Sequence, residues 1–337
     1  MSEISLILSE EFDISTNQVI DWFLYYKRTF KRHNGNTHLS HLKSFSKFNN
    51  YNFDEREIEY LICNKSDSKK NIYFQSCKET INSIWFRRPN FDSVSKPNKK
   101  NAFDKKIDKY LFYNEKIFKE YFFKSLVNTK KIGSFNIIGL NKPLVLEMAK
   151  KIGFEIPNTI VTNTKNKLSF FFKKNNCKII NKALHESFKH GDPEKNYWIT
   201  NRTEEIHSLK NIPKYFKPSL FQEQIEKKYE IRVFFLYDTC YSACIFSQRN
   251  QSTAIDFRNY DRNKPNRIVP YNLPKKIELK IKLLMNNLEL NTGSIDLIMS
   301  QDDKYVFLEI NPVGQYDFVA KPCNYPIDLD IYKILTK

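Results

Sequence analysis

The chain of 337 residues carries 55 Lys and Arg against 38 Asp and Glu, a formal charge of +17, with 41% hydrophobic and 15% aromatic residues. That composition excludes intrinsic disorder, and the length provides for two or three packed units with substantial cores. No apolar run approaches the roughly 18 residues of a spanning helix, and Glu3 and Glu10 stand where a secretory signal would carry basic residues, so a cytoplasmic protein that contacts no membrane is expected.

Six cysteines, at 63, 77, 177, 240, 244 and 323, form no Cys-x-x-Cys pair and have no His at zinc-like spacing, so they read as small buried residues rather than a metal cluster or disulfide framework. The positive charge would concentrate a polyanion, whether nucleic acid, nucleotide phosphate or acidic peptide, and it equally fits a solvated basic surface.

Ile4 to Ser9 reads as a strand, and Val19, Trp22, Phe23, Tyr26 and Phe30 recur at helical steps over Val19 to Phe30. Glu57 to Asn64 and Ser83 to Arg88 are strand-like, so the first ninety or so residues form a small α/β unit. Arg87 and Arg88 in Trp85-Phe-Arg-Arg-Pro89 either hold a carboxylate or phosphate with their forked donors or are solvated at a strand end. A lysine-rich segment from Ser95, broken by Pro97, leads into a helix around Lys109 to Leu126.

Lys142-Pro143 opens a helix whose apolar residues are Leu144, Leu146, Met148 and Ile152, and Gly153 follows its end. A Thr-rich strand, Asn158 to Asn163, comes next. Cys177 to Ala183 reads as a strand with Lys178, Ile180 and Lys182 on one face, and a lysine held among apolar residues calls for an anion. Phe221 to Ile225 is a short extended segment, followed by a continuously apolar strand that begins at Arg232, and Ser242 to Ser247 continues the sheet. The charge of Arg232 must therefore be paired or lie at the strand mouth. Lys275 to Glu289 is an amphipathic helix burying Ile277, Ile281, Leu284 and Leu288.

The last signal is a hairpin, Ser294 to Ser300 and Tyr305 to Ile310, joined by the polar Gln301 to Lys304. If Ser300 faces Tyr305, Met299 pairs with Val306, Ile298 with Phe307, Leu297 with Leu308 and Asp296 with Glu309. Glu309 and Asn311 then share the face of Asp296, while Leu297, Leu308 and Ile310 point into a core. Two carboxylates set opposite each other repel unless one is protonated or a cation lies between them, and two carboxylates with an amide suit Mg²⁺ completed by phosphate and water.

Ser-Ile-Asp296-Leu-Ile followed by Phe-Leu-Glu309-Ile-Asn311-Pro-Val-Gly314-Gln315 resembles the C-terminal signature of ATP-grasp ligases, and the Gly-Gln after Asn-Pro favours the peptide-modifying branch, the graspetide (microviridin-type) ligases and the maturases that occur with SPASM-domain proteins. The Trp-x-Arg-Arg-Pro stretch, the Lys142 helix with its Gly-Phe-Glu-Ile-Pro157 and Thr-rich strand, and Asp256-Phe-Arg258, which is similar to the Asp-Trp-Arg of graspetide ligases, extend the resemblance over nearly the whole chain. It departs from the wider superfamily between Glu186 and Tyr197, where Gly191 is the one glycine of a flap that is often glycine-rich.

The resemblance implies an α/β (α+β) ATP-grasp fold with an N-terminal pre-grasp domain, divided as residues 1–95, a helical segment 96–135, a first grasp subdomain 136–220 and a C-terminal subdomain 221–337 with the metal site. It implies ATP and Mg²⁺ as cofactors, with Lys142, Lys182, Glu223, Gln224, Ile225 and Glu230 on the nucleotide. The backbone of Phe221 to Ile225 would read the adenine edge with amides that are unpaired until something adds to them. Asp296, Glu309 and Asn311 would hold the metal, and Arg232 and Arg258 the phosphates, with Arg267 a third arginine that also suits a purely structural place.

The implied reaction is phosphorylation of an Asp or Glu side chain in a ribosomally made precursor peptide with an acidic core, then attack on the acylphosphate by a Ser or Thr hydroxyl or a Lys amine of the same peptide. The implied partners are that precursor, a SPASM-domain protein of the same cluster and a second copy of the chain. Two other readings stay open: a ligase adding free amino acids to a protein tail, and a basic nucleic-acid-binding scaffold. The intact Asp-Glu-Asn set counts against the latter.

Overall fold

The computed structural model describes residues 2–34, 42–46, 50–54, 57–60, 72–73, 79–88, 102–126, 129–135, 140–184, 189–192, 197–200, 203–249 and 265–337. Arg258, with the rest of Asp256-Phe-Arg258, and Cys63 and Cys77 lie outside them. The chain divides into two compact units, Met1–Ile137 with Pro326–Lys337, and Ile138–Tyr325. Residues 96–135 thus fall with the N-terminal unit, and position 220/221 lies within a strand of the second.

The first unit contains β1 (Ser2–Ser9), α1 (Ile14–Tyr25), β2 (Phe30–Asn34), β3 (Leu42–Ser46), β4 (Asn50–Asp54), β5 (Glu57–Tyr60), β6 (Ile72–Tyr73), β7 (Glu79–Phe86), α2 (Ala102–Ser125) and β8 (Lys130–Ile132). Strands β2-β1-β7-β8 form a parallel sheet, and β5-β4-β3-β6 a separate antiparallel one. Parallel strands require crossovers, and α1 supplies the one between β1 and β2.

Helix α1 begins and ends earlier than the sequence periodicity suggests. Asp13 caps it, its Oδ2 accepting from the Thr16 amide at 3.1 Å, and Lys27, left-handed at φ 52°, follows its end. Phe30 accordingly belongs to β2, where its ring lies 5.4 Å from that of Phe23. Val19 and Phe23 are buried, whereas Trp22 stays at the rim and donates its Nε1–H to Asp328 at 2.9 Å. Asp328 lies on the C-terminal helix Ile327–Thr336, which also accepts at the Leu335 carbonyl from the hydroxyls of Ser5 (3.1 Å) and Ser83 (2.7 Å). The end of the chain is therefore bound into the core of the first unit.

Arg87 turns inward and Arg88 stays partly exposed. Arg87, 2% exposed, donates from Nε to Asp13 Oδ2 at 3.1 Å, and Arg88 donates to Glu10 Oε2 at 2.9 Å. Burial alone would raise the Asp13 pKa, but Arg87, the Thr16 hydroxyl and Arg88 outweigh it, and the carboxyl lies below its ordinary value. One carboxylate thus ties the cap of α1 to the end of β7.

The second unit contains α3 (Lys142–Ile152), β9 (Thr159–Thr164), α4 (Lys165–Lys174), β10 (Ile179–Lys182), β11 (Lys189–Asp192), β12 (Tyr197–Thr200), β13 (Glu204–Ile206), β14 (Tyr215–Glu223), β15 (Lys227–Leu236), β16 (Thr239–Phe246), β17 (Arg267–Pro270), α5 (Lys275–Asn287), β18 (Thr292–Ser300), β19 (Tyr305–Asn311) and α6 (Asp317–Cys323). Two antiparallel sheets carry it, β13-β10-β14-β9 and β17-β16-β15-β18-β19, and β11 and β12 form a separate hairpin over the expected flap.

Asn141 caps α3 by accepting from the Leu144 amide, and Gly153 ends it in the left-handed region at φ 96°. The buried face is Val145, Leu146 and Ala149, one position round from the expected stripe, and Leu144 is exposed. Helix α5 buries Ile277, Ile281 and Leu284 as expected, with Met285 in place of Leu288, which caps the helix. Cys244 and Cys323 are buried as expected, with burial holding the Cys244 thiol up at about 11, whereas Cys177 is exposed. Among the described residues no helix is long and apolar enough to cross a membrane.

Candidate functional site

The five-stranded sheet carries one charged row. Arg232 in β15 lies opposite Ala243 in β16 on one side and Asp296 in β18 on the other, and Asp296 lies opposite Glu309 in β19. The expected opposition of Asp296 and Glu309 is present, but the register toward the turn is not the expected one. Met299 pairs with Tyr305, Ile298 with Val306 and Leu297 with Phe307, and a bulge between Asp296 and Leu297 restores the register at the carboxylates. Leu308 is the extra residue. Phe307, fully buried and 5.6 Å from the Phe154 ring, therefore fills the core position expected of Leu308.

Arg232 is 7% exposed and Asp296 8%, and Arg232 Nη1 donates to Asp296 Oδ1. Arg232 Nε is buried with no acceptor among the described residues. Lys142, in the first turn of α3, places its Nζ 3.5 Å from Glu309 Oε2. Asn311 ends β19, and its Oδ1 accepts from the Val313 and Gly314 amides at 3.2 and 3.1 Å. Gly314 has φ +45°, and a Cβ there would lie 2.7 Å from the Ser294 nitrogen and 2.6 Å from its Oγ, so the chain can close over Ser294 only as glycine.

Glu230 lies on the same sheet face, two residues before Arg232. It is 6% exposed and accepts at Oε1 from Lys227 Nζ (2.5 Å) and Ser247 Oγ (2.7 Å). Burial raises its pKa despite Lys227. Lys227, itself 5% exposed, escaped the sequence reading, although Lys-x-x-Glu inside an apolar strand is the signal that should have paired the two.

In the four-stranded sheet, Ile179 and Phe221 pack with Leu168 and Phe171 of α4. Lys182 therefore projects from the opposite face, with Ile180 and, across the strands, Leu220 and Gln222. The end of this sheet at Glu223 corrects one expectation. Rather than awaiting a partner, the Glu223 amide donates to the Asn158 carbonyl (2.8 Å) and the Gln224 amide to that of Lys178 (3.0 Å), because the segments entering β9 and β10 extend the pairing on both flanks. Among the described residues no backbone carbonyl accepts from the Ile225 amide. Glu223 Oε2 accepts from Asn158 Nδ2 at 2.8 Å, the Gln224 amide group bonds Glu205, and exposed Lys178 donates to Glu226 at 2.5 Å. Arg267 is exposed, its guanidinium 5.6 Å from the Phe246 ring centre.

The donor set fits a magnesium nucleotide. Among the described residues no group of three or more His, Cys, Asp and Glu side chains converges, so a metal at this row would draw on two carboxylates, the Asn311 amide and non-protein oxygens, which is how Mg²⁺ is usually held. The unsatisfied N–H of Arg232 suits an anionic oxygen beside that metal.

No family model and no curated protein matches the sequence. Solved structures do match along the full chain. The macrocyclase MdnC of Microcystis aeruginosa MRC, bound with precursor peptide MdnA, is 22% identical over 99% of both chains at a TM-score of 0.72. A RiPP-associated ATP-grasp ligase of Chryseobacterium gregarium, in complex with ADP and a leader and core peptide, is 23% identical over 100% of this chain and 97% of its own at 0.75. The ATP-grasp ligase PsnB, complexed with a minimal precursor, Mg and ADP, is 14% identical over 99% and 97% at 0.68. The chain thus has the ATP-grasp fold, in the form taken by these peptide-modifying ligases.

Proposed function

We propose that the chain is an ADP-forming carboxylate ligase that phosphorylates Asp or Glu side chains of a ribosomal precursor peptide and joins them to Ser or Thr hydroxyls or a Lys amine of the same peptide. The observation that carries this is the row of buried Arg232 and Asp296 with half-buried Glu309 on one sheet face of a chain that matches peptide-bound ligases end to end. Asp296, Glu309 and Asn311 would hold Mg²⁺, which when bound would neutralise phosphate oxygens. Lys142, Lys182 and the Glu223 to Ile225 segment hold the nucleotide. Arg232, anchored by Asp296, presents to charge that develops on the transferred group an N–H that has no acceptor among the described residues, and Arg258 is assigned the same task from sequence.

The γ-phosphoryl group passes to the peptide carboxylate and ADP leaves. The peptide hydroxyl or amine then attacks the activated carbonyl, losing its proton as phosphate departs, so each ring lowers the peptide mass by one water. This chain's main contribution is to hold the reacting groups together. Dependence on ATP supports a cytoplasmic place of work. A SPASM-domain protein is a proposed partner, and so is a second copy, supported by the exposed apolar stripe Ile107, Tyr110, Leu111, Ile117 and Tyr121 along α2.

The test is intact-mass measurement after incubation with ATP, Mg²⁺ and a short Thr- and Glu-rich peptide encoded beside this chain. Loss of one water per ring with one ADP per ring is expected. A mass gain equal to an amino-acid residue would establish the intermolecular ligase instead, AMP formation would refute the acylphosphate route, and salt-dependent nucleic-acid binding without turnover would support the scaffold reading.

A further inference from the structure

Among the described residues two carboxylates and two cations meet at the charged row, and each cation already holds one carboxylate. The pairs differ in mobility. Arg232 is fixed in the middle strand of the sheet, and its pair with Asp296 is about one-tenth exposed on each side. Lys142 reaches Glu309 from the first turn of a neighbouring helix on a four-carbon stem, with 26% of its side chain exposed against 13% for Glu309. A compact ammonium on a flexible stem can leave, whereas a guanidinium locked in the sheet stays.

We propose, on the basis of the metal-nucleotide reading above, that Lys142 is a placeholder on Glu309: it occupies the carboxylate in the nucleotide-free chain and yields it only when a phosphate draws the ammonium away. A divalent ion entering without nucleotide meets Arg232 and Lys142 on both of its carboxylates and leaves the row with excess positive charge. A nucleotide's phosphates offer Lys142 a stronger partner and at the same time complete the metal's oxygen shell, so both transfers occur together. The cap from Asn141 and Pro143 at N1 or N2 fixes the root of Lys142, which confines its exchange to the side chain. Metal loading thereby becomes conditional on nucleotide.

The experiment titrates Mn²⁺ by electron paramagnetic resonance into the nucleotide-free protein, comparing wild type with Lys142→Met, Lys142→Arg and Lys178→Met. Lys178→Met removes the same charge from an exposed pair with Glu226. The expected result is Mn²⁺ bound about tenfold more tightly by Lys142→Met than by wild type, a difference of about 1.4 kcal/mol, with the other two variants within about twofold of wild type. ADP affinity of Lys142→Met should change in the opposite direction and fall. Equal or weaker Mn²⁺ binding by Lys142→Met, or an equal gain in Lys178→Met, overturns the placeholder role. A parallel measurement separates this from failure of the metal reading: wild type with ADP retains Mn²⁺ through gel filtration and Glu309→Gln does not. If neither retains it, the metal site itself is wrong and the placeholder falls with it.

Discussion

Asp296→Asn tests whether the charged row holds the sheet as well as its ligand. The substitution is nearly isosteric and removes only the charge opposite Arg232, a guanidinium that is 7% exposed and whose Nε has no acceptor among the described residues. Breaking a buried ion pair on one side costs about 3–5 kcal/mol because the other charge stays buried without its counterion. The pair retains some solvent access, about one-tenth of each side chain, so the lower end, about 3 kcal/mol, is expected. Hydrogen exchange read by mass spectrometry on peptides spanning β15 and β18 measures it locally, without requiring the two units to unfold together. Protection should fall by about a hundredfold in Asp296→Asn, since each tenfold corresponds to about 1.4 kcal/mol. Arg232→Met should lose a similar amount, and the double variant should recover most of it, with a coupling of at least about 2 kcal/mol. Single losses under about tenfold, or a double variant equal to their sum, would refute the claim that the two charges depend on each other.

Glu309→Gln should abolish ATP-dependent peptide modification while costing about 1 kcal/mol or less in stability, because its Lys142 pair is partly exposed; retained modification in a mass assay refutes its metal role. Lys182→Ala should weaken nucleotide binding far more than peptide binding in calorimetric titrations, and unchanged ATP affinity removes Lys182 from the site. Gly314→Ala should destabilise the second unit by about 1–3 kcal/mol, since φ +45° and the Ser294 backbone 2.7 Å from the new Cβ both oppose it; a melting temperature within a degree of wild type contradicts this. The lowered pKa of Asp13 makes its stabilisation fully present above the ordinary Asp value, about 3.9, and lost as pH falls through the lower folded value. Wild type should therefore lose stability below about pH 4 relative to its own neutral value more steeply than Asp13→Asn does; parallel acid denaturation curves would exclude the effect.

The sequence and the structure agree best where a pattern is local. The Asn141 cap, Pro143 and the left-handed Gly153 delimit α3 as read, and the α5 stripe is one residue from its expected course. Disagreements arise where a distant partner decides. Phe30 continues the aromatic periodicity of α1, yet β1 takes it as a neighbouring strand once Asp13 has begun the helix early. The pairing of Glu223 and Gln224 amides depends on Asn158 and Lys178, and the inward turn of Arg87 depends on Asp13, none of which local composition reveals. The hairpin shows both behaviours at once. Alternation placed Asp296 opposite Glu309, but it missed the extra residue that makes this register coexist with Met299 opposite Tyr305.

That extra residue explains how a closely packed strand pair can hold two acids. In a regular ladder set by Met299 and Tyr305, Leu308 would face Asp296 and Glu309 would face Ile295, a residue buried on the opposite side of the sheet. Admitting Leu308 as a bulge lets Phe307 fill the core beside Phe154 while Glu309 regains the face of Asp296. The bulge lies beside the point where the edge of β19 is met by another segment: the Phe307 amide donates to the Glu155 carbonyl at 2.8 Å, and Glu155 lies just beyond the helix that carries Lys142. One local irregularity thus sets the carboxylate pair, fills the core behind it and ties the edge strand to the segment following α3. Core packing and placement of the acids are coupled through a single backbone feature, so changes at Leu308 should disturb the charged row although its side chain holds no charge.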